Sequence, residues 1–484
     1  MIFSVRSYSR GCAFHAERWD FLASRLHKPR AGASDVRQLM TDQTPAGDSK
    51  GCQPPAVYRP RNPKASGWYR CVEDFFDEFV RVYDELFAKR FGFWRAHIEK
   101  VIHRFLDCGD LHKGFARVKC GSCGHEFLTA FSCKGRHFCP SCHQKRVVEF
   151  GEFLCTSVLA KVPHRHIVFS LPKIIRRNFL YDRKLLGKMS RCGWECLEFF
   201  LKASCPGDSM PGAVVAIQTF GDFLSFHPHL HILISDGCFQ GENEFTRAPA
   251  FDWEKLEELF QRKIFRLLLN EGRITKELVE KLATWRHSGF HVFCGDPIEA
   301  GNETSMENLA RYIVRASLSQ ERMTYVEDEG KVIYQAKDGS EKKEFTGLEW
   351  LANICSHIPN PREHMVRYYG QYSNAARGKR KKQEAADLPA PKINEPLASK
   401  KEFRRNWARL IQKVYEVDPL LCPKCGGAMR VIAFVEDQSV IEKILKHLGL
   451  WLVNSRAPPR RTDSRGYEGE AIEQPRPDDF FPDP

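Results

Sequence analysis

The residues His227-Pro228-His229-Leu230-His231, followed by Ile232-Leu233-Ile234-Ser235, are the most informative part of this 484-residue chain. Its apolar, partly β-branched second half predicts a strand over 229–235. Alternate side chains of a strand point to the same face of a sheet, so the three histidines converge. Neutral imidazole is a common metal ligand, although histidines on a strand also occur as buried, hydrogen-bonded structural residues. We expect His229 and His231, with His227 beside them, to bind a divalent ion.

Two further runs place this strand in a sheet. Residues 166–171 and 213–220 are apolar and partly β-branched, and a short loop containing Gly221 and Asp222 joins the second run to the histidine strand. Segments with apolar residues three and four positions apart predict helices before and after these strands. The sequence therefore predicts an α+β fold in which helices flank an antiparallel sheet.

A pair of tyrosines forms the second candidate site. Residues 364–376 follow the break Pro359-Asn360-Pro361 and predict a helix, on which the Cβ atoms of Tyr368 and Tyr372 are about 5–6 Å apart. Tyr369 is rotated by about 100° on such a helix and should pack inside. Tyrosines at this spacing are usually half-buried packing residues. Beside a metal site, they are the nucleophiles that metal-assisted attack on DNA requires.

Cysteine pairs at two-residue spacing indicate structural zinc. Cys120-Gly-Ser-Cys123 and Cys139-Pro-Ser-Cys142 are 15 residues apart, a spacing typical of two knuckles that share one tetrahedral ion. The predicted zinc ligands are Cys120, Cys123, Cys139 and Cys142. The alternative ligands close by in the sequence are Cys133, His137 and His143.

A further pair, Cys422-Pro-Lys-Cys425, has no local partner. No cysteine follows it, so a four-cysteine site cannot be closed in this part of the chain. His447 is an additional ligand within reach in the sequence. The sequence leaves open whether this pair binds zinc.

Composition limits the class of protein. Lys and Arg number 74 against 61 Asp and Glu, and the net charge of +13 favours a polyanionic partner such as nucleic acid. The first residues lack the apolar core of a signal peptide, and no segment approaches the roughly 18 consecutive apolar residues of a membrane helix. We therefore expect an intracellular protein whose 18 cysteines include zinc ligands rather than disulfides.

A basic run follows the tyrosines directly. A solvated surface is the ordinary explanation of such a run, but a phosphate backbone that passes Tyr372 would meet these cations next. The predicted DNA-binding residues are Arg377, Lys379, Arg380, Lys381 and Lys382.

Taken together, these motifs resemble those of bacterial insertion-sequence transposases of the IS91 type, which belong to the HUH single-strand endonucleases. The shared motifs are Cys120-x-x-Cys123 with Cys133, Arg136-His-Phe-Cys-Pro-Ser-Cys142, His166-Ile-Val-Phe-Ser-Leu-Pro172, Phe226-His-Pro-His-Leu-His231, Ala310-Arg-Tyr-Ile313, Val366-Arg-Tyr-Tyr-Gly370, Tyr372-Ser-Asn374 and Leu421-Cys-Pro-Lys-Cys-Gly-Gly427. The resemblance covers roughly residues 70–455.

The resemblance implies an HUH catalytic palm in which His229 and His231 hold Mg²⁺ or Mn²⁺. A tyrosine attacks single-stranded DNA and forms a 5′-phosphotyrosine, and the freed 3′-hydroxyl later reverses the reaction on another strand. Two tyrosines allow two coupled cleavages, as in rolling-circle transposition. The expected partner is single-stranded DNA at the element termini and the target, with no membrane and no small-molecule substrate. The third metal ligand stays open among His227, Gln218 and Gln371.

The predicted organisation has six parts. They are a disordered extension (1–64), a helical zinc-binding domain (65–150), an HUH catalytic domain (151–376), a basic linker (377–402), a small cysteine module (403–455) and a disordered tail (456–484). The expected location is cytoplasmic, in bacteria, and associated with the nucleoid. Two other functions remain open, namely a rolling-circle replication initiator or relaxase, and a non-catalytic zinc protein that binds DNA.

Overall fold

Helices and antiparallel strands form an α+β fold, as predicted. The computed structural model describes residues 62–205, 207–240, 244–248, 252–285, 288–386, 409, 412–413 and 418–451. The predicted tail 456–484, residues 1–61 of the predicted extension, and residues 387–402 of the predicted linker lie outside these ranges.

Within the described ranges, helices and strands follow one another along the chain without a regular alternation. The helices are α1 (Gly67–Leu86), α2 (Ala88–Phe91), α3 (His97–Leu106), α4 (Pro140–Ser157), α5 (Arg176–Tyr181), α6 (Lys184–Ser204), α7 (Trp253–Asn270), α8 (Lys276–Ala283), α9 (Glu303–Ile313), α10 (Gly347–Ser356), α11 (Asn374–Ala386) and α12 (Gln438–His447). The strands are β1 (Phe115–Cys120), β2 (Glu126–Ala130), β3 (His164–Ser170), β4 (Gly212–Phe220), β5 (Phe226–Ser235), β6 (Gly237–Gln240), β7 (Glu244–Arg247), β8 (His291–Cys294), β9 (Met323–Val326), β10 (Lys331–Gln335), β11 (Lys342–Thr346), β12 (Val366–Gly370) and β13 (Met429–Val435). None of the helices in these ranges combines the length and apolarity needed to cross a membrane.

The histidine strand is the middle strand of a five-stranded antiparallel sheet. The strand order is β12-β4-β5-β3-β8, so the strands predicted at 166–171, 213–220 and 229–235 are confirmed as β3, β4 and β5. In the ladder, His231 lies between Ala216 of β4 and Val168 of β3. Both edges of β5 are thus hydrogen-bonded, which holds its side chains in a defined alternation.

The two faces of this sheet differ in chemistry. Leu230, Ile232 and Ile234 of β5 are completely buried in an apolar core that also contains residues of α6 and α7. Burial of each such side chain contributes about 1.5–3 kcal/mol, so this face anchors the sheet. The alternate residues, His229 and His231, point to the opposite face, where side chains of α4 and α9 pack beside them.

The N-terminal helices pack against residues from much later in the chain. Helix α1 begins where the Ser66 side chain accepts a hydrogen bond from the Tyr69 N–H. Its buried face, which includes Val72, Phe76 and Phe79, shares a core with α10 and with the three-stranded sheet β11-β10-β9. Residues 323–356 therefore pack on the N-terminal helices, although the sequence assigns them to the catalytic domain.

The last described strand completes a sheet in the part of the chain predicted to be the zinc-binding domain. The order β13-β1-β2 pairs β1 antiparallel with β13, from Phe115 opposite Val435 to Cys120 opposite Met429. The predicted cysteine module at the C-terminal end thus adds a strand to a sheet that begins about 300 residues earlier. Small apolar cores on this sheet contain residues of both segments.

Candidate active site and cysteine clusters

Three imidazoles are in contact on the polar face of the central sheet. His229 Nε2 lies 3.2 Å from His231 Nε2, and His231 Nδ1 lies 2.9 Å from His166 Nε2. His229 Nδ1–H donates to the His227 carbonyl over 2.8 Å, which leaves a lone pair on Nε2. When His231 carries its proton on Nδ1, two lone pairs face each other. Their separation suits neighbouring ligands of one octahedral ion, which are about 3 Å apart.

Burial keeps these imidazoles neutral. Desolvation lowers the pKa of His229 and of His166 to about 4 each, and it lowers the pKa of His231 well below its usual value. The His229 imidazole adds to the decrease at both of the other rings. Because neutral imidazole is the form that ligates metals, no proton has to leave these rings near pH 7 before an ion binds.

Unpaired polar atoms lie beside the histidines. Gln218 is the ladder partner of His229, and its Nε2 donates to the Ile313 carbonyl over 2.9 Å. The Gln218 Oε1 and the His227 Nε2 are buried and have no hydrogen-bond partner among the described residues. The ring centroids of His227 and His229 are 5.2 Å apart. Two imidazoles plus an amide oxygen suit Mn²⁺ better than Mg²⁺, because Mg²⁺ prefers oxygen ligands throughout.

Gln371, the third candidate ligand, lies near the other end of β4. Its N–H donates to the Pro211 carbonyl over 3.0 Å, just before β4 begins. Gln218 follows Pro211 by seven residues, which is roughly 20 Å of extended chain. The structure therefore brings His227 and Gln218 to the histidine pair and leaves Gln371 apart from it.

His166 joins the site although the sequence pattern does not single it out as a ligand. It lies on β3, two residues after His164, and both alternate on the face that carries His229 and His231. A His-x-His pattern at the start of a strand next to the histidine strand is the signal that points to it.

The predicted helix at 364–376 is wrong. Val366–Gly370 is the edge strand β12, paired with β4 from Val366 opposite Ala216 to Gly370 opposite Gly212. Gly370 ends the strand at φ +55°, and a Cβ there would lie 1.9 Å from the Pro211 carbonyl oxygen. Val366 and two tyrosines favour a strand, and the required glycine turn interrupts any helix. The helix of this region, α11, begins only at Asn374.

Strand alternation separates the adjacent tyrosines. Tyr368 is half-buried beside residues of the polar face, and the Arg377 guanidinium carbon lies 4.9 Å from its ring centroid. Desolvation raises the pKa of the Tyr368 hydroxyl, and the charges of Arg377 and Arg146 oppose that increase. Tyr369 points to the apolar face, where its ring stacks on Trp194 at 5.4 Å. Tyr369 therefore packs inside, as expected. The physical reason differs, because side chains alternate between the two faces of a strand, whereas the expectation relied on rotation around a helix.

Tyr372 is completely buried in this conformation. Its hydroxyl lies 2.7 Å from His164 Nε2, and its oxygen accepts from the Ala160 N–H over 3.4 Å. His164 Nδ1–H donates to the Val162 carbonyl, so His164 Nε2 accepts the tyrosine proton in the hydrogen bond. Burial raises the pKa of Tyr372. Tyr368 and Tyr372 are thus not the neighbouring pair that helical spacing predicts.

A basic cleft of about 630 Å³ opens beside Tyr368 and Gln218. Its cationic lining residues are Arg104, Lys134, Arg136, Arg146, Arg315 and Arg362. The lining carboxylate, Glu363, is paired with Arg183 at 2.9 Å. The cleft therefore has a net positive lining to which the zinc-binding region and the central sheet both contribute.

Helix α11 carries the basic run that the sequence predicts to bind DNA. Arg377 packs on Tyr368, and Arg380 Nη1 donates to the Gln371 carbonyl over 2.9 Å. The side chains of Lys379 and Lys382 are exposed, and Lys381 lies on the same helix. The basic run thus begins with Arg377 beside the Tyr368 ring and continues along α11.

The cysteines form two clusters, and the single predicted site is corrected. Cys139 and Cys142 group with Cys108 and Cys133, whereas Cys120 and Cys123 group with Cys422 and Cys425. In the first cluster, the Sγ atom of Cys108 is 3.9 Å from that of Cys139 and 3.9 Å from that of Cys142. In the second, the Cys120–Cys425 and Cys123–Cys422 Sγ distances are 3.5 and 3.6 Å. Sulfurs that share one tetrahedral zinc are about 3.8 Å apart.

The β1–β2 hairpin explains why the two knuckles separate. Cys120 and Cys123 lie at its turn, whereas the chain leaves its open end at Ala130 and runs on to Cys133. The six residues of β1 span about 20 Å, too far for thiolates from the two ends to reach one ion. Cys108 has no second cysteine at knuckle spacing, so the sequence pattern does not indicate it as a ligand.

The predicted alternative ligands have different outcomes. Cys133 belongs to the first cluster. The His143 Nδ1 accepts from the His137 N–H over 3.0 Å, and its Nε2–H donates to the Val314 carbonyl over 2.8 Å. His137, His143 and His447 are in neither cluster. The histidines near the knuckles are thus outside both groups, and His143 links the zinc-binding region to the end of α9.

Two protein-family models match parts of the chain. Residues 212–381 match the family model described as "Putative transposase", and residues 78–171 match the model described as "Transposase zinc-binding domain". The first range contains the histidine strand and Tyr368. The second range contains all four cysteines of the first cluster, Cys108, Cys133, Cys139 and Cys142. The zinc-binding match and the cysteine clusters together support structural Zn²⁺.

Two curated proteins are similar over most of the chain. The transposase for insertion sequence element IS801 of Pseudomonas savastanoi pv. phaseolicola is 24% identical over 362 residues, which are 70% of this chain and 85% of that protein. The "Putative transposase y4qJ" of Sinorhizobium fredii (strain NBRC 101917 / NGR234) is 27% identical over 344 residues, 66% of this chain and 84% of that protein. No solved structure matches the chain.

Proposed function

Because the chain belongs to the IS91-type insertion-sequence transposases, we propose that it cleaves and rejoins single-stranded DNA through a 5′-phosphotyrosine on Tyr368. As a transposase it is an enzyme that acts on DNA. The main support for the finer proposal is the polar face of the central sheet. On this face lie two neutral imidazoles 3.2 Å apart and Tyr368, which borders the basic cleft.

The proposed reaction exchanges one phosphate ester for another. The Tyr368 hydroxyl gives up its proton to solvent, its oxygen bonds to phosphorus as the bond to the 3′-oxygen breaks, and the departing 3′-oxygen takes up a proton from solvent. No ester bond is lost, so the freed 3′-hydroxyl can later reverse the step on another strand. Tyr372 is the proposed second nucleophile, and it can attack only after its hydroxyl leaves His164.

Side chains at the site have separable tasks in this proposal. His229 and His231 would hold a divalent ion, with Gln218 or His227 as a further donor. Such an ion, when bound, polarises the phosphate oxygens and stabilises the charge that develops on them. Arg377 favours the ionised form of Tyr368. The cations of the basic cleft and of α11 hold the strand through its phosphates.

The test is a covalent-adduct assay with labelled single-stranded DNA from the element terminus and Mn²⁺. We expect wild-type protein to form an adduct whose peptide map contains Tyr368. Tyr368→Phe removes only the nucleophilic oxygen and should give no adduct at this position. The double variant His229→Ala/His231→Ala should reduce adduct formation by about 100-fold or more. It should still bind DNA, because binding depends on the basic surfaces.

A matched control uses Tyr369→Phe, which changes a neighbouring tyrosine on the opposite face and should keep activity. Unchanged nicking by the double histidine variant would remove the metal assignment. DNA binding without any adduct, at any tested ion, would favour the non-catalytic zinc protein instead.

A further inference from the structure

We propose that Cys120, Cys123, Cys422 and Cys425 bind a second structural zinc that joins the C-terminal cysteine module to the zinc-binding region. The matched zinc-binding family model ends at residue 171, so it does not include the second pair of these ligands. The proposal does not depend on the chemistry at Tyr368.

The four sulfurs already have the arrangement of a tetrahedral site. Their ligand atoms lie within 4.8 Å of one another, and the Cys120–Cys425 and Cys123–Cys422 pairs are 3.5 and 3.6 Å apart. These separations are close to the roughly 3.8 Å expected around one zinc with Zn–S bonds of about 2.3 Å. Without an ion, four thiols packed this closely would have only weak S–H hydrogen bonds to hold them.

Each pair sits in a turn of the kind that presents two thiolates to one ion. The Ser122 N–H donates to Cys120 Sγ over 3.4 Å, and the Gly124 N–H donates to the Cys120 carbonyl. In the second turn, the Gly426 N–H donates to the Cys422 carbonyl, with Gly426 at φ +68°. Two knuckles of the same form therefore face each other although they come from distant parts of the chain.

The surroundings favour a charged zinc–thiolate centre. Four thiolates and Zn²⁺ carry a net charge of −2. Three exposed cations offset this charge, because each lies within one or two residues of a ligand or of a ligand's strand partner. They are Lys119, Lys424 and Arg430. Cys123 and Cys425 are exposed, whereas all four cysteines of the Cys108 cluster are buried. The two zincs should therefore differ in their access to chelators.

The backbone shows what the ion would hold together. Strand β13 pairs with β1 immediately beside the cluster, and Cys120 shares a small core with Cys422, Met429 and Val431. The ligand pairs are 299 and 305 residues apart. An ion that closes so long a loop constrains the unfolded chain strongly and so favours the paired state.

Metal analysis of the full-length protein tests the proposal. We expect two equivalents of zinc in reduced, freshly purified protein and one equivalent in Cys422→Ser/Cys425→Ser. The control Cys192→Ser/Cys294→Ser changes two half-buried cysteines outside both clusters and should keep two equivalents. Cys425→His, which retains a Cys₃His ligand set, should also keep two. One equivalent in the wild type, unchanged in the double variant, would overturn the second site.

A cleavage experiment tests the joining role. With a protease site placed in residues 387–402, the cut C-terminal fragment should remain bound to the rest of the protein. A chelator should release it, and so should Cys422→Ser/Cys425→Ser. Retention of the fragment after zinc removal would show that strand pairing alone holds the module, and would overturn this role for the ion.

Discussion

At Tyr368, one guanidinium influences how readily the hydroxyl ionises. Burial raises the pKa of this tyrosine, and the adjacent Arg377 charge lowers it. Because the proposed attack needs the deprotonated oxygen, the proposal predicts that the rate of adduct formation rises with pH. In Arg377→Gln the rise should move to higher pH, since the opposing charge is gone. Single-turnover rates measured from neutral to alkaline pH check this, with Lys382→Gln on the same helix as the control. Identical profiles for wild type and Arg377→Gln would contradict the role of Arg377.

Tyr372 has a structural role that can be separated from a catalytic one. Tyr372→Phe leaves His164 Nε2 buried without its hydrogen-bond donor, which should lower the free energy of unfolding by about 1–3 kcal/mol. Tyr369→Phe removes a hydroxyl that lies 3.0 Å from Ser190 Oγ on a half-buried ring, so its cost should be smaller. Urea unfolding of both variants measures the difference.

Strand transfer decides whether Tyr372 also acts as a nucleophile. In the proposed scheme, Tyr372→Phe still forms the adduct at Tyr368 but does not complete strand transfer. Full transfer by this variant would limit Tyr372 to its buried hydrogen bond with His164.

Among the elements, β5 and β12 show what local sequence can predict. The strand at 229–235 was predictable because its apolar run is short and partly β-branched, and two similar runs in the sequence can pair with it on either side. The run Val366-Arg-Tyr-Tyr-Gly370 is short, and its tyrosines fit a period of two or of 3.6 equally well. Pairing with Gly212–Phe220, about 150 residues earlier, decides between them. The local signals against a helix are Gly370 in its middle and the strand preference of Val366 and the tyrosines.

Helix α11 should set part of the salt dependence of DNA binding. Changing Lys379, Arg380, Lys381 and Lys382 to Gln should reduce the slope of log affinity against log salt. The expected reduction is about 0.7 for each phosphate of a single strand that the helix no longer neutralises. Lys342→Gln/Lys343→Gln on β11, outside the basic cleft, provides the control. An unchanged slope in the α11 variant would mean that these cations form only a solvated surface.

For the whole molecule, buried neutral histidines predict sensitivity to acid. Burial lowers the pKa of His357 to about 3, and its ring is held by Thr219 Oγ1 and the Leu224 carbonyl. Such a histidine takes up its proton only on unfolding. Its stabilising contribution is complete above the unfolded pKa of about 6.5 and decreases as the pH falls toward the folded value.

The expected decrease for His357 is about 2 kcal/mol at pH 5 relative to pH 7. His357→Gln should be less stable than wild type at pH 7, but its unfolding free energy should depend less on pH by about that amount. Urea unfolding at both pH values measures this difference, in which zinc release common to the two proteins cancels. Parallel pH dependences would show that His357 is already protonated in the folded protein.

Contacts between distant parts of the chain explain why the zinc ligands could not be assigned from sequence. Spacing correctly marks Cys120-x-x-Cys123 and Cys139-x-x-Cys142 as knuckles, but spacing contains no information on which knuckles meet. The hairpin β1–β2 separates the near pairs and the β1–β13 pairing brings in the distant one. Assignment of ligands therefore needed the three-dimensional fold, whereas recognition of the knuckles did not.

The distance along the chain between Cys123 and Cys422 also has a consequence for biosynthesis. A ribosome that adds about 5–20 residues per second needs roughly 15–60 s to make the 299 residues between them. During that time Cys120 and Cys123 are outside the ribosome without their partners, and β1 lacks the neighbour on one of its edges. The nascent protein must therefore pass through a stage in which a thiol pair and a strand edge are open to oxidation and to wrong pairing. Completion of the chain ends that stage.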